Sequence, residues 1–259
     1  MEGNKKREHI FAICAYKESP YLEECILSLE KQTRKSSIIM VTSTPNKYIE
    51  ELSRKYEIPL FINHGEHGIT QDWNFAYQCA NARYVTIAHQ DDVYLPDYWQ
   101  KSYEYLRRAK RPLIVFGDYG ELRKDQPILN NRLLMPLKIK VFWSSKFVRR
   151  RILSFGCPIC CPSVTFVKEH LQEPIFKAGF RSAEDWEAWE KLSKEKGSFV
   201  YVNKILMYHR IHEGSETSII LGDDARKRED FIMFRKFWPK PIARILVKLY
   251  SSSEKSNKL

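Results

Sequence analysis

The chain has 259 residues, of which 43% are hydrophobic and 13% are aromatic. This composition is typical of a folded globular protein and excludes an intrinsically disordered chain. The formal net charge of +11 favours an anionic partner: a nucleic acid, an acidic lipid or a phosphorylated substrate. No apolar run approaches the ~20 residues of a membrane span and the first residues lack the apolar core of a signal peptide, so we expect a cytoplasmic protein.

Short apolar runs alternate with helical patterns through the first hundred residues. The runs that predict strands are residues 10–15, 38–41, 59–62 and 84–88. Strict alternation of strand and helix with short loops predicts an α/β protein whose mostly parallel central sheet has helices on both faces. The chain has neither the GxGxxG signature of an ordinary dinucleotide-binding fold nor the GxxxxGK[ST] signature of a P-loop.

Two adjacent carboxylates, Asp91 and Asp92, follow the fourth predicted strand. An open α/β sheet places its ligand sites at the carboxyl ends of its strands. Carboxylate oxygens there suit Mg²⁺ or Mn²⁺, and a divalent ion in turn suits a phosphate-bearing substrate. The same pair before a helix could instead cap that helix and interact with its dipole. From this stretch alone both interpretations stay open.

Beyond residue 97 the pattern is less regular. It predicts a helix over residues 97–110 and strands over residues 113–116, 163–167 and 199–208. Residues 117–155 are expected to form an irregular basic region, in which Arg149, Arg150 and Arg151 are interpreted as part of a solvated positive face.

A further helix is predicted after Gly179, with Trp186, Trp189 and Leu192 on its buried face. Ser182 stands three residues before Asp185, a spacing that is typical of a capping pair. A structural role for Asp185 therefore stands beside any functional one.

The six cysteines are expected to be reduced thiols in the core or in loops. Cys157 and Cys160 form one CxxC, followed by Cys161, but no second CxxC or histidine pair completes a zinc site.

We divide the chain into a domain over residues 1–218 and a helical, basic extension over residues 219–259. Apolar residues in the extension recur at helical spacing and are flanked by basic ones. The set is Ile242, Ile245, Leu246 and Leu249, with Arg244 and Lys248. This pattern favours either a basic amphipathic helix on a membrane surface or a helix packed on the parent domain, and both remain open.

Three segments, taken in order, carry a family resemblance: residues 13–33, 68–80 and 88–96. They resemble, in that order, the opening strand with its nucleotide-facing turn and first helix, the segment before the metal site, and the DxD region of the family 2 glycosyltransferases of the GT-A fold. Glu184 and Asp185 resemble the catalytic ED motif, and His212 resembles the late histidine that helps to hold the metal.

The resemblance implies an inverting transfer of a sugar from a nucleoside-diphosphate sugar to an acceptor hydroxyl. Asp185 would be the catalytic base, and Glu184 would orient the acceptor. Asp91 would be the principal metal carboxylate, supported by Asp92 and closed by His212. The Mn²⁺ or Mg²⁺ held there would stabilise the charge of the departing diphosphate.

The resemblance also implies a set of donor-binding residues. They are Ala15, Tyr16, Glu18, Ser43, Asp72, Asn74, His89, Gln90 and Asp91. The sequence departs from the family at three places: Thr42 and Ser43 stand where an acidic pair usually reads the nucleobase, Lys17 stands where an asparagine is common, and His89 occupies the first position of the DxD. Asp72 is expected to take over part of nucleotide recognition, and UDP remains the favoured nucleotide.

The resemblance, together with the basic surface and the tail, implies a saccharide acceptor, linked to lipid, in surface polysaccharide assembly at the inner face of the cell membrane. They also suggest a peripheral contact with anionic lipid. The chain has no recognisable nucleic-acid-reading element, so nucleic-acid binding is not expected. The alternative function is a GT-A-shaped protein that binds nucleotide sugars without catalysis.

Overall fold

The computed structural model describes residues 7–128, 142–212 and 224–255. The described strands are β1 (Arg7–Cys14), β2 (Ser37–Thr42), β3 (Leu60–Ile62), β4 (Ala82–His89), β5 (Val93–Tyr94), β6 (Pro112–Arg123), β7 (Gln126–Ile128), β8 (Val164–Val167) and β9 (Ser198–Ile211). The described helices are α1 (Leu22–Glu30), α2 (Lys47–Lys55), α3 (Ile69–Cys79), α4 (Tyr98–Leu106), α5 (Lys146–Leu153), α6 (Glu184–Ser193), α7 (Asp224–Arg235) and α8 (Lys240–Lys255).

The strands form one sheet in the order β3-β2-β1-β4-β8-β6-β9-β5, with β7 paired to β6. The pairs β3–β2, β2–β1 and β1–β4 are parallel, as is the long pair β6–β9. Strands β8 and β5 run antiparallel to their neighbours. The expected α/β architecture with a mostly parallel sheet is confirmed. The carboxyl ends of β1, β2 and β4 consequently meet at one edge of the sheet.

Side chains on the central strands alternate between two hydrophobic cores. On β1, Ile10 and Ala12 face the core that contains α3 and α6, whereas Phe11 and Ile13 face the core that contains α1, α2 and α4. This alternation follows from the two-residue period of a strand. It confirms that helices cover both faces.

The predicted irregular region begins too early, because β6 continues to Arg123 and turns into β7. The strand pattern was hidden because polar residues are buried along it. Asp118 accepts a hydrogen bond from the Tyr201 hydroxyl at 2.6 Å, and Glu121 pairs with Arg123 at 2.9 Å. Residues 129–141 of this region lie outside the described residues.

Arg149 is fully buried and does not belong to a solvated face. It lies on α5, and its guanidinium donates hydrogen bonds to the carbonyl oxygens of Ser193, Glu195 and Gly197 at 2.7–3.0 Å. These carbonyls lie at and just beyond the end of α6, where a helix leaves its last acceptors unsatisfied. Arg151 is exposed, as the interpretation of a solvated positive face predicts.

The tail packs on the domain through one face of its helices. Met233 and Phe234 of α7 and Ala243 of α8 are fully buried in the core that contains α3 and α6. Ile245 and Leu249 of the predicted apolar stripe are instead 59% and 60% exposed. Among the described residues, no helix combines the length and apolar character needed to cross a membrane.

Candidate active site

The pairing of β5 with β9 brings two distant parts of the sequence together. Val93 pairs with Tyr208 in antiparallel register. Asp91 and Asp92, just before β5, therefore lie beside His209 and the residues that follow it. The predicted strand ended at residue 208, but β9 continues to Ile211.

Asp91 and His212 are in direct contact, as the sequence interpretation required. The Nε2 atom of His212 lies 3.1 Å from Oδ2 of Asp91. Burial raises the pKa of Asp91, but the hydrogen bond from His212 and the nearby His209 and His89 outweigh it, so the net shift is downward. The carboxylate is therefore ionised at neutral pH. Two ligand atoms about 3 Å apart match the spacing of neighbouring ligands on a small octahedral cation.

Asp92 is completely buried, and only one of its oxygens is satisfied within the described residues. Its Oδ1 accepts from Nδ1 of His209 at 2.8 Å and from the backbone N–H of Arg210 at 3.1 Å. Its Oδ2 is buried without a hydrogen-bond partner in the described part of the chain. Since a buried carboxylate oxygen is costly to leave unsatisfied, Oδ2 is available to a cation. Sequence reasoning missed His209, because it was placed after a strand rather than in one.

His89, at the end of β4, completes the group. Its ring stacks on Trp73 with centroids 5.0 Å apart, and its Nε2 is buried without a partner among the described residues. Burial lowers its pKa, so the imidazole is neutral, which is the form that ligates a metal. One ligand atom each from His89, Asp91 and Asp92 lies within 4.8 Å of the others. Nε2 of His89 and Oδ2 of Asp92, both buried without a partner among the described residues, together with the ionised carboxylate of Asp91, therefore fit a divalent cation.

Arg210 positions the two acidic residues of this cluster, and sequence reasoning missed it. It is 3% exposed, and its Nε donates to the backbone oxygen of Asp91 at 3.1 Å. Its other nitrogens donate to the carboxylates of Glu24 and Asp125, and its guanidinium lies 4.4 Å from the ring centre of Tyr21. Because Arg210 also supplies the N–H that binds Asp92, it fixes both acidic residues at once. A lone arginine between two histidines gave no signal of this role.

A second polar group lies at the ends of β2 and β3. The Ser43 hydroxyl donates to Oδ2 of Asp72 at 2.7 Å, and the Asn63 amide donates to Oδ1 at 2.9 Å. Asp72 comes from the first turn of α3, so it places a carboxylate beside the position where β2 itself has none.

Other predicted donor-binding side chains bind backbone. The Gln90 amide accepts from the N–H of Tyr16 at 2.9 Å and donates to its carbonyl at 3.0 Å, which fixes the turn after β1. The Asn74 amide makes the same pair of hydrogen bonds to the backbone of Phe176, donating to its carbonyl oxygen and accepting from its N–H. Ala15 is buried beneath this turn, whereas Tyr16 and Glu18 are exposed at the sheet edge.

Glu184 and Asp185 lie in the first turn of α6. The predicted capping pair between Ser182 and Asp185 is wrong, because Glu229 of α7 takes that role. Its carboxylate accepts from the N–H groups of Arg181, Ser182 and Ala183 and from the Ser182 hydroxyl. The tail thus holds the start of α6, and Oδ1 of Asp185 accepts instead from the backbone N–H of Trp186 at 2.6 Å.

Asp185 contacts Cys157, whose Sγ lies 3.6 Å from Oδ2. Burial and the neighbouring Asp185 raise the pKa of the Cys157 thiol well above its ordinary value, so the thiol remains a donor. Glu184 is 5% exposed and lines a cavity of about 290 Å³ between the start of α3 and residues 179–181. A carboxylate and an open cavity thus adjoin at the start of α6.

Comparisons with known proteins indicate the family and the fold. The family model described as glycosyl transferase family 2 matches residues 10–172. An uncharacterized glycosyltransferase of Haemophilus influenzae is 24% identical over 227 residues, which cover 82% of this chain and 68% of the relative. Another, from Methanocaldococcus jannaschii, is 23% identical over 220 residues, covering 82% of this chain and 73% of the relative.

Solved structures show the same fold at lower identity. TarS 1–349 of S. aureus, solved in complex with UDP-GlcNAc, is similar with a TM-score of 0.65 and 12% identity over 96% of this chain and 73% of TarS 1–349. The mannosyltransferase PcManGT from Pyrobaculum calidifontis, solved with GDP-Man and Mn²⁺, has a TM-score of 0.64 and 14% identity over 97% of this chain and 70% of its own.

Proposed function

This chain belongs to glycosyl transferase family 2, and we propose that it is a metal-dependent, inverting transferase that moves a sugar from a nucleoside-diphosphate sugar to a hydroxyl of a saccharide acceptor. The observation that carries the proposal is the cluster of His89, Asp91 and Asp92, in which two buried ligand atoms lack a partner among the described residues. The cluster lies at the sheet edge where an α/β protein binds its ligand.

His89, Asp91 and Asp92 would hold the cation, with His212 beside Asp91. A bound Mn²⁺ or Mg²⁺ supplies Lewis-acid stabilisation of the diphosphate as the glycosidic bond breaks. The imidazole favours Mn²⁺ over Mg²⁺, because Mg²⁺ prefers an all-oxygen shell.

The nucleobase is assigned to the group at the ends of β2 and β3. The Asp72 carboxylate there keeps free lone pairs after it accepts from Ser43 and Asn63, because an ionised carboxylate has about four acceptor sites. It can therefore accept from the N–H of a pyrimidine such as uracil, and we propose a UDP-sugar as the donor. The GDP-Man bound by PcManGT makes guanosine the alternative to be tested.

The acceptor reaction is assigned to the start of α6. Asp185 would take the proton of the attacking hydroxyl, and Glu184 would orient the acceptor at the mouth of the adjoining cavity. Such a base contributes ~10² to 10⁴ in rate. Attack from the face opposite the departing diphosphate inverts the anomeric centre in a single displacement.

The acceptor is proposed to be a lipid-linked saccharide of surface polysaccharide assembly, met at the cytoplasmic face of the cell membrane. The net charge of +11 supports a peripheral contact with anionic lipid.

The test is release of nucleoside diphosphate from a panel of UDP-, GDP- and dTDP-sugars, with Mn²⁺, with Mg²⁺ and with chelator. We expect slow, metal-dependent hydrolysis of one donor by the parent protein and its loss in Asp91→Ala. A supplied acceptor should stimulate the parent but not Asp185→Asn, which should keep its donor affinity. NMR of the product would assign the anomeric configuration, and retention would contradict the inverting mechanism.

Two other outcomes would change the assignment. Donor binding without turnover, even with lipid-linked acceptors, would favour a non-catalytic nucleotide-sugar-binding protein. The observation that favours this alternative is that the Gln90 and Asn74 amides are already hydrogen-bonded to backbone. Absence of binding to every nucleotide sugar would overturn the whole proposal.

A further inference from the structure

Helix α8 carries two apolar faces, of which one packs in the core and the other is exposed. Ala243, Leu246, Val247 and Tyr250 face the core. The exposed apolar residues are Ile242, Ile245 and Leu249, at 41%, 59% and 60% exposure. At ~100° per residue, this second stripe lies about 120° around the helix from the first. Burial in the domain therefore does not account for it.

The apolar stripe is accompanied by positive charge. Lys240, Arg244 and Lys248 of α8 are exposed, and the α8 sequence contains a single acidic residue, near its end. An exposed apolar stripe with basic residues beside it is typical of a helix that lies in the interface of an anionic membrane.

Helix α5 extends this surface. Phe147 is 72% exposed, and the α5 sequence contains four basic residues and no acidic one. The Arg151 guanidinium lies 5.7 Å from the ring centre of Phe147 and 5.6 Å from that of Trp238, which stands two residues before the start of α8. The Trp238 indole also donates to the Ser154 carbonyl at 2.7 Å. Two separate helices thus present apolar and basic side chains at one corner of the domain.

From these contacts we propose that the basic–apolar surface of Phe147, Ile242, Ile245, Leu249, Arg244 and Lys248 docks on an anionic lipid membrane. Phe147, Ile242, Ile245 and Leu249 enter the boundary between headgroups and acyl chains, and Arg244 and Lys248 contact the lipid phosphates. Charge complementarity selects this occupant, since an apolar protein partner would not need the flanking basic residues.

The surface is connected to the proposed catalytic base by two contacts. The Tyr250 hydroxyl of α8 accepts from the backbone N–H of Cys157 at 3.4 Å, and the Cys157 thiol contacts Asp185 at 3.6 Å. Docking through α8 therefore brings the start of α6 close to the lipid headgroups, where a lipid-linked acceptor carries its sugar. This consequence rests on the proposed function. The docking itself specifies the peripheral contact with anionic lipid that was proposed above, and it does not depend on the transferase activity.

The experiment is co-sedimentation of the full chain with vesicles of phosphatidylcholine, with and without about one-third phosphatidylglycerol. We expect sedimentation with the anionic vesicles only, weakened by salt. Phe147→Glu with Ile245→Glu should reduce the partition coefficient at least tenfold, and Arg244→Ala with Lys248→Ala about thirtyfold. The matched control is Tyr105→Glu, at a 39% exposed aromatic residue of α4 on the opposite face of the sheet, and it should bind as the parent does.

Each outcome decides the proposal. A parent protein that stays in the supernatant with anionic vesicles overturns it, as does unchanged sedimentation of both double variants. A dimer in light scattering that Ile245→Glu dissociates would assign the surface to a second copy of the chain and also overturn it. Donor hydrolysis without vesicles should survive in all these variants. Its absence in the parent, with sedimentation as expected, would refute the proposed function and leave the docking surface intact.

Discussion

Asp72 on α3 accepts a hydrogen bond from the hydroxyl of Ser43 at the end of β2, with 2.7 Å between the two oxygens. Asn63, after β3, holds the other carboxylate oxygen at 2.9 Å. An acidic group thus stands beside the end of β2, although β2 itself ends at Thr42 and is followed by Ser43. The chain places this carboxylate through a helix instead of through the strand.

Replacing Asp72 with asparagine should weaken nucleotide binding. The amide nitrogen cannot accept hydrogen bonds, so Asp72→Asn loses an acceptor site and the charge. Since hydrogen bonds to charged groups contribute about 1.5–3 kcal/mol, we expect the UDP dissociation constant to rise about tenfold or more. The donor KM should rise by a similar factor with kcat little changed, because this contact is the same in the ground and transition states.

Calorimetry with UDP measures the effect directly. The control is Glu104→Gln on α4, which removes a carboxylate bound to Lys101 on the other face of the sheet. Equal UDP affinity in Asp72→Asn and the parent would move the nucleobase away from this group.

Arg210 should determine metal affinity without being a ligand. Its side chain binds the backbone of Asp91, and its N–H binds the carboxylate of Asp92. Residues that orient metal ligands typically affect affinity by ~10- to 100-fold, so Arg210→Met should raise the Mn²⁺ dissociation constant by about that factor. Calorimetric titration with Mn²⁺, without any sugar donor, measures it.

The control for Arg210 is its own exposed partner. Asp125 is 79% exposed, so Asp125→Asn should change Mn²⁺ affinity by less than about threefold, as screened surface pairs contribute little. Wild-type Mn²⁺ affinity in Arg210→Met would reduce its role to packing.

The sequence predicts best where burial follows strand or helix periodicity. The three-and-four spacing predicts one buried helix face from Tyr21, Leu22, Cys25, Ile26 and Leu29, and all of these residues are buried except Tyr21, which is half-buried. Asp91 and His212 also meet as expected. Periodicity fails where polar groups are buried by contacts that span long stretches of sequence. The pairing of His209 with Asp92 across 117 residues and of Arg149 with the end of α6 leaves no local pattern to detect.

Arg149 should be one of the larger single contributors to stability on α5. Burial lowers its pKa to about 10, so it stays charged at neutral pH and is satisfied by three carbonyl oxygens. Arg149→Met keeps much of the volume but leaves these acceptors without their donor, and we expect a loss of about 3 kcal/mol in the free energy of unfolding. Urea denaturation measures it, with Arg151→Met as the exposed neighbour expected to stay within about 0.5 kcal/mol of the parent. Similar values for the two variants would contradict the role given to the three carbonyls.

His9 should make the protein less stable as the pH falls below about 6.5. The ring is 2% exposed, stacks on Trp99 with centroids 4.0 Å apart, and binds the Ser36 and Thr86 hydroxyls. Burial, reinforced by Arg34, lowers its pKa well below the ordinary 6.5, so the folded protein keeps it neutral while the unfolded chain binds a proton. Below pH 6.5 the free energy of unfolding therefore falls by about 1.4 kcal/mol per pH unit, because the unfolded state is stabilised by the proton that it binds. Above pH 6.5 the ring is neutral in both states, and this contribution to stability is fully retained. Urea denaturation from pH 7.5 to 5.5 should give a steeper loss for the parent than for His9→Gln, which has no proton to bind. Parallel curves would mean that His9 is protonated without cost and that the acid sensitivity lies in other groups.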